Sequence, residues 1–312
     1  MRIFYATDVH GSEICWKKFI SGAKFYEVDT LILGGDMTGK AIVPITAQGN
    51  DRYKVTLLEQ ETILEGEEQL NQMIVTIQNR GYYPYVTTPD EVAEIAGTPG
   101  GSDKLFVQQV LKTLERWMEY ADSKLAGTGI RCFVCPGNDD IFEVDSAILA
   151  SKTVELAEGK VIQLDEHHEM ISTGWSNPTP WDTHREEPDE DLLKRIEAMI
   201  PKLHNPSTAI FNLHAPPYGS GLDEAPELTK DMRLMYAGQS LVPVGSRAVL
   251  EVIEKYQPLL GLHGHIHEGK GTRKIKKTLC INPGSMYEQG ILQGVVIELK
   301  PNKIASYVLT AG

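Results

Sequence analysis

Arg2-Ile3-Phe4-Tyr5-Ala6-Thr7-Asp8-Val9-His10 and Thr30-Leu31-Ile32-Leu33-Gly34-Gly35-Asp36 share one pattern, a short apolar run that stops at metal-type donors. Short apolar runs bounded by glycine read as buried strands. The pattern returns three times. Residues 131–135 lead into Pro136-Gly137-Asn138-Asp139, residues 209–213 into His214, and residues 259–262 into His263-Gly264-His265-Ile266-His267. Loops leaving the strand ends of an α/β sheet converge on one edge, so these side chains are expected to meet. Alternation along an extended chain puts Asp8 and His10 on one side, and likewise His265 and His267. Each element alone is common: His214 by itself reads as an ordinary core histidine. Their occurrence in order, each at the end of an apolar run, is what points to a site.

Helical segments alternate with these strands, which predicts an α/β layered fold. Residues 12–24 form a helix with Ser12 placed to cap it. In residues 104–124, Phe106, Val110, Leu114, Trp117 and Met118 fall on one face at helical spacing, a core stripe. Residues 190–199 and 247–256 are further helices, and 160–174 read as two strands with a turn. The 312 residues, 41% of them hydrophobic, suit one large domain with an insertion. Residues 40–102 are expected to be that insertion, a hairpin-helix segment acting as cap or interface. Within it, 41–58 turn at Gln48-Gly49-Asn50-Asp51 and 62–79 are helical.

The net charge of −13 repels polyanions and disfavours nucleic acid as a partner. The basic run Lys270, Arg273, Lys274, Lys276 and Lys277 reads as the guarded edge of a hairpin. No stretch is long and apolar enough for a membrane span. Residues 1–7 read as a strand, not a signal peptide, so a soluble cytoplasmic protein is expected. Cys132 and Cys135 form a C-x-x-C. They lie in a strand, and positions three apart point to opposite faces, which argues against a redox or zinc motif.

Carboxylate, imidazole and amide donors without a thiolate suit Mn, Fe, Zn, Co or Ni, and not a structural zinc site or an all-oxygen calcium or magnesium cage. Asp8, His10, Asp36, Asn138, His214, His265 and His267 are too many for one catalytic ion with an open position. They fit two divalent metal ions sharing a bridging carboxylate, the arrangement that clamps phosphate and generates hydroxide at neutral pH.

Asp8-Val9-His10, Gly35-Asp36, Gly137-Asn138-Asp139-Asp140, His214 and Gly264-His265-Ile266-His267 together resemble the motif series of the calcineurin-like metallophosphoesterases. Asn282-Pro283-Gly284-Ser285 resembles a turn of small bacterial and archaeal members. The resemblance implies a four-layer sandwich, two central mixed sheets face to face with helices outside. It implies that Asp8, His10, Asp36 and His267 hold one metal, and that Asp36, Asn138, His214 and His265 hold the other. It also implies hydrolysis of a small-molecule phosphomonoester or phosphodiester by direct attack of a metal-bridging hydroxide.

The sequence departs from that family where a histidine usually follows the asparagine: the position is Asp139. Two nearby dications would keep Asp139 ionised and unable to donate a proton, and an anion there repels phosphate unless a metal or basic partner neutralises it. The loop 175–188 offers replacements: His184 as acid and Arg185 as a fork onto phosphate. An ordinary surface loop, with Arg185 paired to Glu186 or Glu187, is the competing expectation. His263 either orients a ligand or is simply packed. Against the enzyme stand two alternatives, a non-catalytic scaffold with the same fold and, less favoured by the acidic charge, a nuclease. Self-association into a homo-oligomer is left open by the sequence.

Overall fold

The computed structural model describes residues 1–229, 231, 233, 235 and 240–312. Two six-stranded sheets form its centre. In the first, Arg2–Ala6, Thr30–Leu33, Arg131–Val134 and Val154–Leu156 run parallel in that order. Gln293–Lys300 and Lys303–Ala311 extend it antiparallel on the other side of Arg2–Ala6. In the second, Glu169–Thr173, Ile210–Leu213, Leu260–Leu262 and Thr278–Asn282 are parallel neighbours. Val161–Gln163 and Gly271–Ile275 are its antiparallel edges.

Strand alternation sorts the side chains into layers. Ile3, Tyr5, Ile32 and Phe133 meet Met170, Ile210, Leu260 and Ile281 in the core between the sheets. Phe4, Leu31, Leu33 and Val134 point the other way, under helices Glu13–Phe25 and Gly101–Leu125, through Trp16, Phe19 and Trp117. The Trp16 and Trp117 rings stack at 5.0 Å, and the Trp16 indole N–H donates to the Trp117 carbonyl. On the far side, Ile171, Phe211 and Leu213 pack beneath helices Asp189–Glu197 and Arg247–Tyr256. Helix, sheet, sheet and helix form the expected four-layer sandwich of mixed sheets.

Residues 42–97 build a second, smaller body. Gln60–Glu65, Arg52–Leu57, Ile42–Gly49 and Tyr83–Thr87 form a four-stranded sheet with helix Gly66–Asn79. Val43, Ile45, Val55, Leu64 and Ile77 are its core. The hairpin turns where expected, with Asn50 and Asp51 both at positive φ, as a twisted two-residue turn requires. The helix expected from residue 62 starts instead at Gly66. Residues 62–65 pair with Arg52–Leu57 and bury Leu64, and Gly66, at φ 78°, ends the strand. Helix Pro89–Gly97 was not anticipated; the Glu91 N–H donates to the Thr88 hydroxyl that caps it.

Cys132 packs in the core beneath the helices and Cys135 in the core between the sheets, on opposite faces of one strand. Among the described residues no helix is long and apolar enough to cross a membrane. All four cysteines are free and buried, and burial pushes the thiols of Cys132 and Cys135 up. The native protein should therefore show no fast-reacting thiol toward a disulfide reagent, and all four should appear on unfolding. A rapid native thiol titre would contradict this placement.

Candidate metal centre

The loops that carry the candidate ligands interlock through the backbone. The Asp8 N–H donates to the Gly35 carbonyl at 3.0 Å and the His10 N–H to the Asp36 carbonyl at 2.9 Å. Asp8, His10, Asp36 and His265 have φ of 53°, 39°, 46° and 67°. Non-glycine residues rarely adopt that region, and such strain concentrates at functional sites. Glycines allow the loops to close. A Cβ on Gly137 would stand 2.1 Å from Asp36 Oδ1, and one on Gly264 would stand 2.4 Å from Asp8 Oδ2.

The side chains fall into overlapping clusters: Asp8, His10 and His267; Asp36, His214 and His265; and His10, Asp36 and Asp139. Asp36 Oδ2 lies 3.6 Å from His10 Nε2 and 3.3 Å from His214 Nε2. His267 Nε2 lies 3.5 Å from Asp8 Oδ1 and 3.0 Å from His10 Nε2. Asn138 Oδ1 is 3.1 Å from His214 Nε2, while its Nδ2 donates to the Thr183 hydroxyl at 2.7 Å. All seven residues named from the sequence are thus brought to one place, at the seam of the two sheets.

Asp140 ties the loops together. Its carboxylate accepts from the N–H groups of Met37, Thr38 and Gly137 and from the Thr38 hydroxyl, at 2.6–3.0 Å. It thereby locks the residues after Asp36 to those before Asn138. His263 does not face the cluster: its Nδ1 lies 2.8 Å from the Leu213 carbonyl and 3.1 Å from that of Ala215.

Burial penalises every charge here, and the partners decide the outcome. Burial works against Asp8, yet a hydrogen bond from His267 and the charges of His214 and His267 hold it at about 2. Burial pushes His10 down to about 3 and His265 to about 4. Burial thus favours the neutral form of both imidazoles. His214 goes the other way, to about 9, because Asp36 outweighs burial. Burial and the charge of Asp36 raise Asp139, with Lys40 opposing.

Two residues escaped the sequence analysis. The Lys40 ammonium sits 2.9 Å from Asp139 Oδ2 and is the basic partner that an anion there requires. Thr183, on the loop 175–188, fixes the Asn138 amide. Position alone could have flagged Lys40, four residues after Asp36. His184, on the same loop, is exposed. Arg185 is not brought to the cluster. It is 2% exposed, bonded to Asp145 at 2.8 Å and to the carbonyls of Asp140 and Ile141, and it stacks on Phe142. Its partner is Asp145, not the neighbouring Glu186 or Glu187.

The donor set fits metal ions. His10 and His267 aim ring nitrogens at each other, and His10 Nδ1 is buried without a partner. Two carboxylates share the same few ångströms, a convergence that cations would relieve.

No protein-family model matches the chain. An uncharacterized protein of Methanocaldococcus jannaschii is 30% identical over 151 residues, 47% of this chain and 61% of the relative. The match thus spans less than two thirds of that relative. A solved structure from Thermus thermophilus, that of TT1561, superposes with a TM-score of 0.53 at 14% identity, over 100% of this chain and 97% of the other. A solved structure described as a novel archaeal phosphodiesterase covers 100% of this chain and 99% of its own, at 11% identity and a TM-score of 0.40. The chain shares the overall fold of the TT1561 structure, a layered α/β sandwich of mixed sheets flanked by helices. Within that fold the clusters lie where strand ends of both sheets meet.

Asp140→Asn tests the tie. An amide nitrogen would face a backbone donor, so unfolding in denaturant should show a loss of about 1–3 kcal/mol. Metal retained after dialysis should fall with it. An unchanged midpoint and metal content would remove Asp140 from this role.

Proposed function

We propose that the protein is a phosphoesterase using two divalent metal ions to hydrolyse a small-molecule phosphomonoester or phosphodiester. The observation that carries this is Asp36 Oδ2, placed between His10 Nε2 at 3.6 Å and His214 Nε2 at 3.3 Å. One carboxylate so placed belongs to both ligand clusters. Asp8, His10, Asp36 and His267 would hold one ion, and Asp36, Asn138, His214 and His265 the other. Bound metals of this kind supply Lewis acidity and an activated water nucleophile.

The chain's own residues do the rest. Asp8 and Asp36 stay ionised among the imidazoles, and Thr183 holds the Asn138 amide in one orientation. Asp139 is salt-bridged to Lys40 and serves as an anchor, not as a proton donor. Arg185 supports the site by fixing the loop after Asn138, because its guanidinium bonds the Asp140 and Ile141 carbonyls. His184 is left as the acid for the leaving group, on the loop whose Thr183 touches Asn138. Residues 40–102 are read as the part that shapes substrate access: the Ser12 hydroxyl donates to the Asn79 carbonyl, and Gly81 lies against the His10 carbonyl.

Asp36→Ala should lose more than one metal per chain by elemental analysis and abolish turnover across a panel of mono-, di- and cyclic phosphoesters. Two retained metals with near-native activity would sink the dinuclear assignment.

An acid matters most when the leaving group is an alkoxide and little when it is an aryl oxide. His184→Ala should therefore slow alkyl esters by roughly 10²-fold or more and leave aryl esters nearly unchanged. Equal effects on both ester classes, or none, would take the acid role away from His184.

A further inference from the structure

Resting on the phosphoesterase function above, we propose that the Lys40 ammonium, held beside the metal centre by Asp139, binds the substrate's phosphate and gives the site a preference for monoesters. A centre built around Asp8 and Asp36, with Asp139 at its edge, in a chain of net charge −13, is a poor place for an anion unless cations offset it. Among the described residues, Lys40 is the lysine or arginine paired with any of these three carboxylates. Arg185, the other basic side chain on a neighbouring loop, faces inward.

The geometry suits a substrate contact better than a structural brace. Asp139 Oδ2 bridges the two zones, 2.9 Å from Lys40 Nζ and 3.8 Å from His10 Nδ1. The Asp139 N–H donates to Asp36 Oδ1 at 3.0 Å, so the carboxylate that holds Lys40 is itself fixed to the centre. Lys40 is tethered from its own side too: the preceding Gly39 N–H donates to the Tyr83 hydroxyl at 2.8 Å. Yet the Lys40 side chain is 55% exposed. An ammonium has three donors, and one suffices for Asp139. The other two remain open to a ligand. A half-exposed ion pair contributes little to stability, and offsetting the charge of Asp139 leaves the outward donors of Lys40 available.

Selectivity follows from charge. A phosphomonoester carries close to two negative charges at neutral pH and a diester one. A fixed ammonium beside the centre therefore favours the monoester, which also offers a further unesterified oxygen as acceptor.

The test uses the metal-loaded full chain, with inorganic phosphate as a calorimetric probe and an aryl phosphomonoester and aryl phosphodiester as substrates. Lys40→Gln should weaken phosphate about tenfold or more and raise the monoester KM by a similar factor. It should lower the monoester-to-diester ratio of kcat/KM and leave the metal content unchanged. Lys40→Arg should keep most of the phosphate affinity. The double variant Lys40→Gln with Asp139→Asn should remain weak, since the phosphate contact is still missing. Recovery in the double variant would mean that Lys40 only neutralises Asp139, and would overturn the proposal. So would unchanged phosphate affinity in Lys40→Gln, or a loss of metal in it. A wild-type protein that binds phosphate through Lys40 but turns over no ester would overturn the phosphoesterase function and leave the anion site standing. No phosphate binding by the wild type would overturn this site alone if esters are still hydrolysed, and both if they are not.

Discussion

Everything at the centre depends on one buried carboxylate reached from two sheets. Asp36 leaves the first sheet after Thr30–Leu33, and His214 leaves the second after Ile210–Leu213. They meet at 3.3 Å only because the sheets pack face to face at the register of the apolar layer between them. Neither sheet alone holds the complete set of candidate ligands. Asp8, His10, Asp36 and Asn138 come from one, His214, His265 and His267 from the other. Core packing is thus a condition of the site: protein interiors are too dense to let one sheet slide on the other without repacking.

The centre itself is costly to fold. Four of its residues have positive φ, and Asp8, His10, Asp36 and His214 are almost fully buried. Such features persist where the surroundings over-determine them. Three hydrophobic layers and the four hydrogen bonds to Asp140 provide that constraint. Opposite charges offset part of the desolvation: Asp36 and His214 each stabilise the other's charged form. Removing one partner of such a pair leaves the other buried and uncompensated.

The strand-end donors were legible because they obey local rules. Apolar runs of four or five residues fix the strands, and the residue after the run must lie at the sheet edge. The alternation expected to pair Asp8 with His10 and His265 with His267 does not reach them, because the strands end at Ala6 and Leu262 and Asp8, His10 and His265 turn to positive φ. The same alternation separated Cys132 from Cys135 correctly. What escaped depended on partners far along the chain. Residues 60–65 carry no strong strand signal, and Arg52–Leu57 across the hairpin recruits them. Arg185 looked like a phosphate fork because its own loop is polar, but Asp145, forty residues earlier in sequence, draws it inward. Lys40 was passed over as the first residue of the expected insertion, since its pairing with Asp139 spans almost a hundred positions.

The placement of residues 42–97 follows from the same close packing. Tyr83 belongs to the core beneath the helices while the strand it begins belongs to the smaller sheet, so the two bodies share a side chain at their junction. Its hydroxyl accepts from the Gly39 N–H, and a Cβ on Gly39 would meet the Gly81 carbonyl at 2.0 Å. Gly81 in turn leaves no room between itself and the His10 carbonyl. The chain therefore leaves the main body just after Asp36 and, before its last strand in the smaller sheet, passes at Gly81 against His10. Tyr287 closes the remaining side, its ring 4.7 Å from that of His10 and 5.8 Å from that of His267. A displacement of the smaller body would have to move Lys40 or Gly81, which touch Asp139 and His10. The excursion is in this sense part of the wall of the centre, coupled to it through backbone contacts too tight to give independently.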